Sequence, residues 1–365
     1  FNVDSTLYEY YQRCQEYLLE PVVLNMSDTL FRMAGERQDE RMQAVAIATQ
    51  LDYYYFQGTN EDSVIHYTNK VKEFAKATHQ PKYYYFAWAN RLITYYLKTS
   101  RTNIALYEVQ NMLKEAQEED DKTGLSRCYN IMSQIYTIKR FDSMAFEWRL
   151  KEIELTEKYK IENYNISQTY AQIANYYINQ KKQKEALAAV EKAIATANSS
   201  TQQISAKLEF VNYYSKFGDF QAAEKLLKEC QTAFEQDKRL ESIKKRLYNI
   251  ECLYYQQTKQ YQKALEAAKM QEKEERRLSE SILSSIHYRT QGEIYQKMGN
   301  MNLAVKYLQM YINADDSLKI ANEQVSSSEF ATLLNVEKLN AEKKELMLQA
   351  QEKELHNKTT LIISL

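Results

Sequence analysis

Tyr213-Tyr214-Ser215-Lys216-Phe217-Gly218-Asp219-Phe220-Gln221-Ala222-Ala223 decides the fold of this 365-residue chain. A ring at Tyr214 is followed four residues later by a turn residue, Gly218, and five residues after that by a small one, Ala223. The phrase recurs in both directions. Its ring line reads Tyr54, Tyr95, Ile135, Tyr177, Tyr214, Tyr255 and Tyr295, at spacings of 41, 40, 42, 37, 41 and 40. Its turn line is Gly58, Thr99, Lys139, Lys181, Gly218, Lys259 and Gly299. Its third line is Ser63, Ile104, Met144, Ala186, Ala223, Ala264 and Ala304. Three lines in one register make seven copies of a unit of about 40 residues, the mark of a repeat architecture.

The residue types follow from helix packing. A helix ends near the turn, where Gly accepts a left-handed backbone. A second helix starts there and packs closely on the first, so a small residue in its first turns lets the backbones approach. The Tyr body fills the space beside it. Each pair leaves an apolar face open, which the next pair must cover. The expectation is an all-α, right-handed superhelix of seven helix pairs over residues 39–317, with no strand. Ala186, Ala223, Ala264 and Ala304 should be buried between the two helices of their own pair. Residues 1–38 should add N-terminal capping helices, with Pro21 opening the second.

Composition agrees. Six Gly and two Pro are too few for the many tight turns of a sheet protein. The apolar fraction of 44% suffices for a sizeable core, and the 31 Tyr can pack their rings in the body or present them on a binding surface. Lys plus Arg number 48 against 49 Asp plus Glu, so no basic excess favours nucleic acid. Cys14, Cys128, Cys230 and Cys252 have no zinc spacing and read as small buried hydrophobes. Cys230 and Cys252 fall on adjoining helices, which leaves a disulfide open in an oxidising compartment. The sequence opens at Phe1 and reads as a processed or trimmed chain.

Gly218-Asp219-Phe220-Gln221-Ala222-Ala223, Gly299-Asn300-Met301-Asn302-Leu303-Ala304 and Lys259-Gln260-Tyr261-Gln262-Lys263-Ala264 resemble the tetratricopeptide (TPR) pattern G-x-Y-x-x-A. Tyr214, Tyr255 and Tyr295 match its helix-A tyrosine, and Gly292 its small mid-helix residue. The resemblance covers roughly residues 40–316 and is sharpest in repeats four to seven. Repeats one to three depart from it, with no Ala on the third line and Ile135 for the ring.

Beyond the repeats, Leu334, Ala341, Leu348, Leu355 and Ile362 recur every seven residues among mixed charges. Residues 318–360 are therefore expected to form one long, coiled-coil-like helix, which either covers the last repeat or forms a homodimer seam. Leu361, Ile362, Ile363 and Leu365 read as the start of a transmembrane helix over 361–365. This layout resembles the extracytoplasmic part of bacterial TPR sensors, most closely the TPR-type two-component sensor histidine kinases. The resemblance implies a periplasmic sensor domain of an inner-membrane protein, relaying its state through the C-terminal helix to a cytoplasmic output domain. That output would be a histidine kinase, or in a sister group a helix-turn-helix regulator. The alternatives are a soluble, cytoplasmic TPR peptide receptor and a protein-interaction scaffold.

Catalytic chemistry is missing from this segment. No phosphate-binding glycine loop and no G-x-S-x-G motif occurs, and His66, His79, His287 and His356 are scattered. No catalytic residue, metal ligand or cofactor is expected. A ligand should instead lie in the inner groove, which in TPR proteins is lined by helix A. Carrying those positions onto this chain gives Tyr55, Phe86 and Tyr96 in an aromatic zone, with Asp52 the exception. Tyr129, Tyr136, Asn175, Asn179 and Asn212 follow in an amide zone, and Arg246 and Arg289 in a charged one. Asn175 and Asn212 share a register, and stacked amides can grip an extended peptide backbone. They equally suit a bond to the neighbouring helix. A carboxylate clamp would need lysines where Ala171 and Leu208 stand, which argues against recognition of a C-terminal carboxylate.

Overall fold

The computed structural model describes residues 4–58, 60–278 and 285–317, and every regular element among them is a helix. The described residues divide into two compact units, and the division falls inside one helix. The first comprises the described residues up to Ile131, the second those from Met132 onward.

In the first unit α1 (Ser5–Glu16) starts at Asp4, whose carboxylate accepts from the Thr6 and Leu7 N–H groups. Pro21 precedes α2 (Val22–Glu36) at its N-cap. Leu7, Cys14, Val23, Leu30, Ala34, Met42 and Ala46 join these helices to α3 (Glu40–Gln57) in one cluster. Then come α4 (Glu61–Ala77) and α5 (Pro81–Tyr85), which continues through a π-helical stretch (Phe86–Ile93) into α6 (Thr94–Lys98). The unit closes with α7 (Thr102–Glu118) and the first part of α8 (Lys122–Ile138).

The second unit holds the end of α8, then α9 (Asp142–Tyr159), α10 (Ile166–Asn179), α11 (Gln183–Ala195), α12 (Ser200–Phe217) and α13 (Phe220–Gln236). A 3₁₀ turn (Lys238–Ile243) leads into α14 (Lys244–Gln257), then α15 (Tyr261–Leu278), α16 (Ile286–Lys297) and a last helix over 301–317. The first helices of successive pairs, α10, α12 and α14, pack on one another, and each also packs on its own partner. This is the α-α superhelical class expected of TPR-like pairs.

The backbone corrects the register of the early repeats. The left-handed residues ending each first helix are Gly58, Ser100, Arg140, Lys181, Gly218, Lys259 and Gly299. Thr99 and Lys139 of the turn line are each one position early. Counted from the true turns, the ring residue is Tyr96 rather than Tyr95 and Tyr136 rather than Ile135, so all seven repeats carry Tyr there. Hydrogen bonds fix the equivalence. The residue after the left-handed one donates its N–H to the ring residue's carbonyl: Arg101 to Tyr96, Phe141 to Tyr136, Lys182 to Tyr177, Asp219 to Tyr214, Gln260 to Tyr255 and Asn300 to Tyr295. That bond closes a Schellman-type helix end.

The small-residue line moves with it. Val64, Ala105, Ala145, Ala186, Ala223, Ala264 and Ala304 each donate an N–H to the carbonyl four residues back, at the start of their helix. All seven are at most 2% exposed. Met144, by contrast, is 39% exposed. In the first repeat the N-cap Asn60 stands two residues beyond Gly58, whereas Asp219 directly follows Gly218, and this delays the buried position from Ser63 to Val64. Repeats two and three therefore have their Ala after all. Gly292 is where the TPR pattern needs a small residue: a Cβ there would lie 2.9 Å from Leu308 Cγ and 3.3 Å from its backbone nitrogen.

All four cysteines are buried free thiols, and burial pushes Cys14 and Cys230 up to about 11 and Cys128 to about 12. The long helix over 318–360, its dimer seam and the membrane start at 361–365 lie outside the described residues. Among the described residues no helix is long and apolar enough to cross a membrane.

Candidate functional site

A cleft of about 820 Å³ lies wholly within the second unit. It runs across the first helices of four successive pairs, with Thr137 from α8, Gln172, Asn175 and Asn179 from α10, Glu209 from α12, and Arg246 and Asn249 from α14. Stacking those helices makes a wall of side chains one repeat apart, which is how residues 37 positions distant become neighbours.

Glu209 is the centre of that wall. It is 4% exposed, and a carboxylate so deep needs partners. Arg246 donates from Nη2 to its Oε1 at 2.7 Å. Asn175 and Asn212 each reach its Oε2 at 3.4 Å, and Asn179 donates to Asn175 at 3.0 Å. At the other end Arg149, 8% exposed, donates to Gln172 at 2.7 Å and to Thr137 Oγ1 at 2.7 Å. Burial lowers the Arg149 guanidinium's affinity for its proton, and the carboxylates of Glu152 and Asp142 act against that. Among the described residues three cations, Arg149, Lys245 and Arg246, line the cleft against two carboxylates, Asp142 and Glu209. The exposed Asn249 and Gln180 side chains have no hydrogen-bond partner among the described residues.

The groove residues read from the sequence divide into two groups. Asn175, Asn179, Asn212 and Arg246 come together around Glu209. Asn175 and Asn212 were singled out for their shared register, Asn179 and Arg246 as groove positions; Glu209, around which they gather, was missed. It stands one helical turn before Asn212 in an otherwise apolar run, and that lone charge on a buried face was the available signal. Arg149 was missed because it lies on a second helix, outside the positions carried over. Arg289 does not line the cleft: it is exposed on α16 beside Glu293, at 3.5 Å.

The other positions lie elsewhere or face inward. Tyr136 sits at the ring position of its pair, half-buried against Phe141 with ring centroids 6.4 Å apart. In the first unit Tyr96 holds the same position, 5% exposed, and burial pushes its hydroxyl's pKa upward. Tyr129 is half-buried on α8. Tyr55 and Phe86 are covered by Arg91, whose guanidinium carbon lies 4.8 Å and 4.4 Å from their ring centroids while its Nε donates to Asp52. The expected aromatic zone is thus already occupied by the chain's own cation. Burial raises the Asp52 carboxyl while Arg91 pulls it down.

A second cavity, of about 320 Å³, lies in the first unit between α4, α5 and α7. Lys76 is joined there to Glu115 at 3.0 Å and to Glu119 at 2.9 Å, Tyr84 donates to Glu115 at 2.6 Å, and Asp121 accepts from the Thr123 and Gly124 N–H groups. Among the described residues no group of three or more His, Cys, Asp or Glu is placed to hold a metal ion.

No protein-family model matches the chain, and neither does any curated protein. Solved structures do. A Rap protein complexed with Competence and Sporulation Factor is 16% identical, with 87% of this chain and 89% of that one covered and a TM-score of 0.51. NprR in complex with its cognate peptide NprX is 14% identical, over 73% and 78%, with a TM-score of 0.51. The apo form of the quorum sensor NprR from B. thuringiensis is 14% identical, over 86% and 99%, at 0.50. At such identities the likeness shows the fold, a TPR-type helical repeat.

Proposed function

We propose that this chain is a TPR-type peptide- or protein-binding module whose ligand lies in the cleft around Glu209. The observation that carries the reading is the cleft itself: about 820 Å³ spanning four repeats, walled by amides and buried charges. An extended backbone offers a donor and an acceptor at every residue, and side-chain amides match both. Asn175 and Arg246 are held by Glu209, so they would meet a ligand already oriented, which lowers the ordering cost of binding. Two of the fold neighbours were solved with bound partners, NprR with its peptide NprX and a Rap protein with Competence and Sporulation Factor, which supports the peptide-receptor alternative over the membrane-anchored sensor. The features motivating the sensor lie in 318–365, outside the described residues.

Panning a displayed library of linear peptides against the full chain tests this. Enriched peptides should bind one to one in calorimetry. Their affinity should fall about tenfold when both Asn175 and Asn249 are replaced by Ala, each lost hydrogen bond contributing about 0.5–1.5 kcal/mol. Peptides that bind the double variant as tightly as the wild type would put the site elsewhere.

A further inference from the structure

Beside the cleft lies a smaller cavity of about 140 Å³, and Gln168, Ala171, Ile243 and Arg246 line both. Its polar lining is Ser167, Gln168, Thr201, Gln202, Ser205 and Arg246. Among the described residues no carboxylate borders it, and Arg246 is the one charged group that does.

Two of these groups are occupied by the fold. Ser167 donates to the Ala193 carbonyl at 2.7 Å. Gln202 donates to the Tyr164 carbonyl at 2.6 Å and accepts from the Asn198 N–H at 3.1 Å. The rest have no partner among the described residues: the Gln168 amide, the Thr201 and Ser205 hydroxyls, and the buried Nε of Arg246. Arg246 is therefore half used. Nη2 holds Glu209, while the side chain stays 26% exposed toward the cavities.

Resting on the peptide-binding reading, we propose that this side pocket receives an aspartate or glutamate side chain of the bound peptide, its carboxylate accepting from Arg246 and from the Thr201 and Ser205 hydroxyls. A guanidinium has five donors in a planar fork, enough to serve two carboxylates on different edges. The accessible part of the Arg246 side chain can only donate, so it suits an acceptor, and an ionised acceptor makes the stronger bond. The cations outnumber carboxylates in the adjoining cleft, which favours the same charge. The cavity is small, with one guanidinium already shared, which suits a carboxylate better than a phosphate dianion needing several cations. A chain-terminal carboxylate is disfavoured because Ala171 and Leu208 occupy the positions where a clamp would carry lysines.

The test uses the full chain and peptides enriched by panning. Acidic residues should dominate one peptide position, and replacing that residue by its amide should weaken binding about tenfold, the effect of one charge-assisted hydrogen bond. In the T201V/S205A variant, which leaves the Arg246–Glu209 pair intact, the same replacement should matter less than about threefold. Arg246→Gln should behave alike; because it also strips Glu209 of its partner, the double variant is the deciding one. Amidating the peptide's C-terminus should change nothing. Enriched peptides with no acidic position, or an acid-to-amide effect equally large in both proteins, would overturn the pocket while leaving peptide binding intact. Phosphoserine binding tenfold tighter than glutamate would make this a phosphate site and overturn the assignment. Enrichment of no peptide at all would remove the binding reading itself, and this inference with it.

Discussion

Replacing Ala145 by Leu tests the corrected register. Ala145 is 0% exposed on α9, its N–H bonded to the Phe141 carbonyl at 3.0 Å, whereas its neighbour Met144 is 39% exposed. Leu adds three carbons. If the site could open, burying them would gain about 0.8 kcal/mol per methylene. Neither the cleft nor its side pocket is lined by Ala145, so neither offers them room. The opposing cost is overpacking, about 1–3 kcal/mol, as two helix backbones are forced apart at their closest approach. For a cooperative unit of this size each kcal/mol lowers Tm by about 2–4 °C, so a fall of about 2–12 °C is expected. Met144→Ala, on the exposed side, should stay within about 0.5 kcal/mol of wild type. Urea unfolding followed by circular dichroism reads both variants. An unchanged midpoint for Ala145→Leu together with a clear loss for Met144→Ala would restore the register read from sequence and refute the backbone argument.

Three further outcomes are expected. Gly124→Ala should destabilise by about 1–3 kcal/mol despite the better helix propensity of Ala, because the new Cβ would overlap Tyr85 Oη and Cζ and lie 2.9 Å from Cε1 of a ring 2% exposed; thermal unfolding checks it. Lys181→Gly should stabilise by up to about 1 kcal/mol, since Lys181 holds a left-handed φ of 58°; a loss in urea midpoint would show that its side chain matters more than its backbone. Burial lowers the Lys72 ammonium from 10.5 to about 8. Between those values the unfolded chain binds more protons, so stability rises with pH there. Lys72→Met should therefore exceed wild type at pH 7 by more than at pH 10; a gap that does not shrink across that window would contradict the shift.

The sequence carried the architecture far and the site only partly. Ring, turn and small-residue lines located the inter-helix turns to within one residue, because those lines report local chemistry. The groove positions were less secure. Tyr96 and Tyr136 were carried to the groove by a register one residue early, and Tyr55 and Phe86 turned out to be covered by Arg91. Where Asn175, Asn212 and Arg246 were named, their common partner Glu209 was not.

What the sequence determined by itself is the alternation of helices and turns. Each element is set within about 40 residues by helix propensity, by the spacing of apolar side chains and by the small residue that lets two helices close. Two things waited for the tertiary structure. The first is which of two adjacent residues takes the ring position of its repeat. Neighbours on a helix differ by about 100° in direction, and the choice between Tyr95 and Tyr96 depends on Ser100 taking a left-handed φ of 61°, which a non-glycine residue does not announce. The second is the site. Glu209 and Arg246 are 37 positions apart and meet at 2.7 Å only because α12 and α14 stack, so their pairing, and the guanidinium edge it leaves unpartnered, belong to no single repeat.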